Sequence, residues 1–308
     1  MNTALPPEVV LAVEAALPTA RLEDATPLGE GWSVIAYRVP AADGDWVLRL
    51  QRRTSERVTG ELEREVALVP RLEARGLPVP RAMRALHDSD GAFLGTLHRL
   101  VEGRPASEAS RGERAQLAAE LGAFLARLHA LPFDEVRALE VPELDLWPDR
   151  YASMVEACLP LLGPRSAAWL TATVEAFRAD GGTADAPRAL VHGDLGPAHV
   201  RLDDTGGTEG VIAGIIDWGD AIIADPALDF ATIWHGFGEP FMERVLWHYE
   251  ARVGRVVDRR FRDRACFYVE VVPLFLVRYG HMFDGGDRQV GLRQLAARAA
   301  ASTRRAAR

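Results

Sequence analysis

The chain has 308 residues, 48% apolar and 26% charged, an ordinary globular composition that argues against a disordered, collagenous or coiled-coil protein. All 36 basic residues are arginine, because the sequence contains no lysine; Schiff-base chemistry and any P-loop built on Gly-Lys-Ser/Thr are therefore excluded. The net charge of −8 gives no sign of a nucleic-acid-binding surface, and no apolar run reaches the ~18 to 20 residues of a membrane span. Glu8 and Glu14 stand where a signal peptide would carry positive charge, so the expectation is a cytoplasmic protein with neither membrane nor nucleic acid as partner. Cys158 and Cys266 fit neither a disulfide scaffold nor closely spaced metal ligands and are expected as buried free thiols.

In chain order, residues 7–17 read as a short amphipathic helix. TPLGEGWSVIAYRV and DWVLRLQRR then read as strands, the second alternating with Trp46, Leu48 and Leu50 on one face. The AADGD segment between them is a hairpin signal, with Gly44 free to take positive φ. From Val58 to Arg75, the spacing of Leu62, Val66, Val69 and Leu72 predicts a helix, which Gly76 and Pro78 end. FLGTLHRLVEG reads as a buried strand running into a connector. After residue 105, Leu117, Leu121, Phe124, Leu125 and Leu128 form a strong helical stripe.

The expected class is therefore α+β, with a small β-rich lobe over residues 1–101 and a larger helical lobe over 102–308. The helical part is interrupted once, by two strand-like runs, HVRL and VIAGII, on either side of a Gly-rich turn. Beyond Pro226, with Asp225 as helix cap, three further amphipathic helical stretches are expected before an Arg/Ala tail.

The polar residues between positions 190 and 230 have a spacing that a core does not require. Asp194 sits in a His-Gly-Asp turn where Gly193 permits close backbone approach, His199 follows five positions later, and Asp217 ends an apolar strand. Any one aspartate in a turn reads as a local cap. Taken together, two metal-competent side chains on adjacent strands suit a divalent cation, and a nearby carboxylate suits proton acceptance from a hydroxyl.

At these residues, HGDLGPAHV followed by GIIDWGDAIIADPALDFA, the sequence resembles the aminoglycoside and macrolide antibiotic phosphotransferases, which share a bilobal protein-kinase-like fold. The resemblance extends to GEGWSVIAYRV, similar to the family's nucleotide-covering hairpin, to WVLRLQRR as its third strand, and to ELEREVALVPRLEARGLPVP as its first lobe helix. It implies that Asp194 orients or deprotonates the acceptor hydroxyl and that His199 and Asp217 hold Mg2+ on the phosphates of ATP or GTP. It implies nucleotide contacts from Gly29, Gly31 and Ser33 in the covering turn, from the connector His98, Arg99, Leu100 and Val101, and from Ile216. His192 orients the catalytic turn.

Two residues depart from the usual kinase pattern. His199 stands where many kinases have asparagine, although Mg2+ prefers oxygen ligands. Arg49 stands where a lysine usually holds the α- and β-phosphates and pairs with a helix glutamate, here best matched by Glu65, with Glu61 and Glu63 as alternatives.

The acceptor stays open between two classes. A polycationic aminoglycoside calls for carboxylates, and a macrolide for an apolar pocket. Candidate acceptor contacts are Asp220, Trp234, Glu239, Glu270 and Asp284, with Phe237, Phe241 and Phe275 available to an apolar ring. Asp220, Asp225 and Asp229 also read as structural. A small-metabolite kinase of the same fold and a non-catalytic nucleotide-binding module are the alternatives to an antibiotic kinase, and the protein is expected as a monomer or homodimer.

Overall fold

The computed structural model describes residues 5–31, 34–52, 56–204, 210–257, 259–282 and 287–306. Helix α1 (Pro7–Ala16) has proline at its first position, where the missing N–H costs nothing. The run from Thr26 is two strands, not one: β1 (Thr26–Glu30) and β2 (Val34–Ala41) pair antiparallel, and the Gly31 N–H donates to the Val34 carbonyl at 2.8 Å. Strand β3 (Gly44–Gln51) follows through the expected tight turn, with Gly44 at φ +113°.

Helix α2 (Glu56–Ala74) stops at Gly76, φ +69°. Strands β4 (Arg84–His87), β5 (Phe93–Arg99) and the two-residue β6 (Arg104–Pro105) come next. Helix α3 (Glu113–His129) buries the expected stripe of Leu117, Leu121, Phe124, Leu125 and Leu128. Helices α4 (Phe133–Arg137), α5 (Tyr151–Cys158) and α6 (Pro164–Ala179) lead to four short strands: β7 (Ala189–Val191), β8 (Val200–Leu202), β9 (Ile212–Ile215) and β10 (Ile222–Ala224).

Five helices, not three, follow Pro226 among the described residues: α7 (Ala227–Phe237), α8 (Glu239–Val253), α9 (Arg259–Val271), α10 (Pro273–Met282) and α11 (Asp287–Ala306). Residue 272 alone separates α9 from α10, too short a break for composition to mark. No helix of the described residues is long and apolar enough to cross a membrane. Cys158 is buried as expected, whereas Cys266 is exposed, because α9 turns its apolar face, with Ala265, Phe267 and Tyr268, away from that position.

The chain packs as two compact units. One holds residues 1–120, 132–141 and 197–221. Its five-stranded sheet runs β1-β2-β3-β5-β4, and its second sheet runs β6-β8-β9. Alternation along β3 divides the first sheet. Trp46 and Leu48 join Val9, Val13, Val39, Leu86 and Leu97 in a buried cluster that includes α1, while Val47 and Arg49 point to the other face.

The other unit holds residues 121–131, 142–196 and 222–308, in which β7 pairs with β10 beside helices α5 to α11. Asp225 is buried there. It accepts from Arg264 at 2.6 Å, from the Tyr268 hydroxyl at 2.8 Å and from the Ala227 N–H at 3.1 Å, so its carboxylate holds the start of α7 in place.

Candidate active site

In the first unit, the charges gather on Arg49. Its Nη1 lies 2.5 Å from both oxygens of Glu65, and its Nη2 lies 2.7 Å from Asp217 Oδ1. Glu65 is selected over its neighbours by helical phase. It shares the buried stripe of α2 with Leu62, Val69 and Leu72, whereas Glu63 is exposed. Glu65 Oε1 also accepts the Trp218 N–H at 3.1 Å. Burial opposes the charge on Arg49, but the carboxylates of Glu65 and Asp217 outweigh it and hold the guanidinium pKa above its ordinary value.

Asp217 follows β9, and His199 precedes β8. The antiparallel register Val200↔Ile215 brings them together, with the Ile216 N–H donating to the His199 carbonyl at 2.9 Å. His199 Nε2 is 3.5 Å from Asp217 Oδ2. Asp217 takes φ +67°, a left-handed conformation that aspartate tolerates better than most residues.

These residues border a cavity of about 550 Å³, a size suited to a bound small molecule. Gly29, Gly31, Arg49, His98, Leu100, Val101, His199, Ile216 and Asp217 all line it. Glu65 is buried and pairs with Arg49. Arg99 turns elsewhere, pairing with Asp43 at 2.5 Å and stacking 4.6 Å from the Trp46 ring. Ser33 lies outside the described residues. Sequence reasoning missed Val34, Ala36, Val47 and Arg201 as lining residues. For Val47 the signal was present, two positions before Arg49 on the same face of an alternating strand.

In the second unit, β7 ends in the His192-Gly193-Asp194 turn, with Gly193 at φ +83°. One fully buried carboxylate, Asp229 of α7, holds this turn. Its Oδ2 accepts the His192 N–H at 3.1 Å and its Oδ1 the Gly193 N–H at 2.9 Å. The Leu195 N–H donates to Thr232 Oγ1 at 3.1 Å, and the Asp194 N–H points at His192 Nδ1 at 3.3 Å. His129, at the end of α3, lies 3.1 Å from Asp229 Oδ2 through its Nε2. His129 was not anticipated, although it ends an apolar helical stripe where a buried imidazole needs a partner. Asp194 itself is exposed.

The acceptor candidates are more dispersed. Asp220 is exposed in the first unit; Trp234 on α7 and Glu270 on α9 are half-buried, and Glu239 is exposed at the start of α8. Glu270 lies 3.8 Å from Arg298. Phe237 and Phe241 stack on each other at 4.6 Å, and Phe275 packs against Tyr151 at 6.0 Å. Asp284 lies outside the described residues.

A family model described as phosphotransferase enzyme family matches residues 24–264. The uncharacterized protein YcbJ of Bacillus subtilis (strain 168) is 40% identical over 92 residues, a stretch that covers 29% of this chain and 29% of YcbJ. Among solved structures, the GDP complex of aminoglycoside 2'-phosphotransferase-IIIa is 24% identical with a TM-score of 0.82, over 96% of this chain and 100% of that one. Macrolide 2'-phosphotransferase MphH from Brachybacterium faecium is 23% identical with a TM-score of 0.70, over 93% and 96%. At these identities the likeness shows the fold, the protein-kinase-like α+β fold expected from the sequence.

Proposed function

Because the chain belongs to the phosphotransferase enzyme family, we propose that it moves the γ-phosphoryl group of ATP or GTP to a hydroxyl of an aminoglycoside or macrolide antibiotic. The observation that carries this reading is the doubly paired Arg49 on the wall of the 550 Å³ cavity. A planar guanidinium anchored by the buried Glu65 stays charged on the cavity wall, where a polyphosphate can compete with the half-exposed Asp217 for it. In this reading residues 1–101 form the nucleotide-binding part, completed by His199, Ile216 and Asp217.

The donor set suits Mg2+ carried in on the nucleotide. Asp217 offers one carboxylate and His199 one imidazole, and among the described residues no group of three or more acidic, histidine or cysteine side chains stands ready for a metal. Two donors are too sparse for a protein cage and suit an ion that Asp217 and His199 would hold together with the nucleotide. When bound, Mg2+ would neutralise charge developing on the transferred phosphoryl group. Asp194 accepts the proton of the acceptor hydroxyl as its oxygen bonds to phosphorus and the nucleoside diphosphate leaves. Asp229, through the backbone of His192 and Gly193, keeps that carboxylate in place.

The test is a phosphorylation screen. Aminoglycosides, macrolides, amino alcohols and sugars are incubated with Mg2+ and each nucleotide, and products are read by mass spectrometry. A phosphorylated antibiotic absent from an Asp194→Asn control supports the reading. Phosphorylation of only the small metabolites, or no transfer to any acceptor, overturns it.

A further inference from the structure

Beside the charged Glu30 and Arg201, the cavity wall contains a neutral polar side chain that the phosphate chemistry does not use. His98 on β5 is directly opposite Val47 on β3, so it shares a face with Val47 and Arg49, and all three line the cavity. It is only 5% exposed. Successive same-face positions on a strand are ~6.8 Å apart, which sets His98 along the wall from the Arg49 charge. Ala36, Val47, Leu100, Val101 and Ile216 line the cavity with it and offer apolar surface to the flat faces of a heterocycle.

The tautomer of His98 follows from its partner. Nδ1 lies 2.9 Å from the Arg99 carbonyl oxygen, which can only accept, so Nδ1 carries the ring proton. The Nε2 of that tautomer is a bare lone pair. Burial lowers the His98 pKa to about 4 despite the bond to Arg99, with the Arg49 charge adding to the effect, so the ring stays neutral near pH 7. The one donor of the ring is thus engaged by the Arg99 carbonyl, and the nitrogen it leaves for a ligand in the cavity is an acceptor.

Adenine carries an amino donor at C6, where guanine carries a carbonyl acceptor. Against a bare imidazole nitrogen, the first forms a hydrogen bond and the second sets two lone pairs against each other. We infer that His98 reads the base edge of the nucleotide and selects a 6-aminopurine donor, ATP over GTP. This rests on the nucleotide reading of the cavity given above.

The experiment measures equilibrium dissociation constants of the full chain for ATP, GTP and purine riboside triphosphate, which lacks any C6 substituent. ATP is expected to bind roughly 10- to 100-fold more tightly than GTP, with purine riboside triphosphate between them. His98→Leu should bring the ATP and GTP constants toward equality. His98→Gln, whose amide can present either oxygen or NH₂, should bind GTP better while keeping ATP. GTP binding as tight as ATP in the wild type, or a ratio unmoved in both variants, overturns the inference. Binding of none of the three triphosphates overturns the nucleotide reading itself. If His98→Leu fails to fold, the wild-type series and His98→Gln decide.

Discussion

Around Arg49 the polar groups meet through side-chain charge, whereas in the turn after β7 they meet through backbone amides held by the single carboxylate of Asp229. In the first cluster Asp217 is half-exposed and shares its oxygens with Arg49 and His199, an arrangement that a bound polyanion can redistribute. The second cluster has no such freedom: Asp229 is sealed from solvent, and its bonds fix two consecutive peptide units. One region is tuned for changing charge, the other for unchanging position.

The contrast is testable. The largest effect is expected at the tip of the rigid turn, where Asp194→Asn should lower kcat by ~10² to 10⁴ with little change in nucleotide affinity, checked by steady-state kinetics beside equilibrium binding. Behind it, Asp229→Ala leaves the His192 and Gly193 amides and His129 without their acceptor. A stability loss of about 3 to 5 kcal/mol in urea denaturation is expected, and a loss under 1 kcal/mol would mean that the turn holds itself.

A smaller effect follows from His98. Its folded pKa of about 4 lies below the ordinary value of 6.5, so the unfolded chain binds the extra proton first. Stability should therefore rise with pH from about 4 to 6.5 and be lost on acidification through that window, by on the order of 2 to 3 kcal/mol. Denaturation midpoints of wild type and His98→Leu compared at pH 4.5 and 7 isolate this share, and parallel pH dependence would contradict it. The smallest change is expected in the adaptable cluster. Arg49→Lys keeps a positive charge but cannot fork to Glu65 and Asp217 in the same way, so nucleotide affinity should weaken about three- to tenfold by titration calorimetry. An unchanged or tighter dissociation constant would show that the forked geometry is irrelevant.

Features carried by local pattern were legible in the sequence. Period-two alternation placed Trp46 and Leu48 in the core and left Arg49 on the other face, and a helical stripe identified α3. Strands β4, β6, β7 and β10 span two to four residues and were missed; β8 and β9 are as short but were read, because a Gly-rich turn between two apolar runs marks them. Within the site, Arg49, His199 and Asp217 were legible as motif residues. The approach of His129 to Asp229 was not, because the two are 100 positions apart and nothing local to either specifies the other. Glu65 lay between these cases: three glutamates alternate in that stretch, and only the phase of the folded helix separates the buried one from its neighbours.

The reach of Arg49 also bears on how the chain is made. Glu65 is 16 positions away and Asp217 is 168. During synthesis the first partner emerges almost at once, while the second appears only after residues 121–131 and 142–196 of the other compact unit have left the ribosome. The entropy of closing so long a loop falls on the step that brings Asp217 to Arg49, so the cavity reaches its final form late. A nucleotide that needs both carboxylates in place therefore cannot guide the early folding of the sheet on which Arg49 sits.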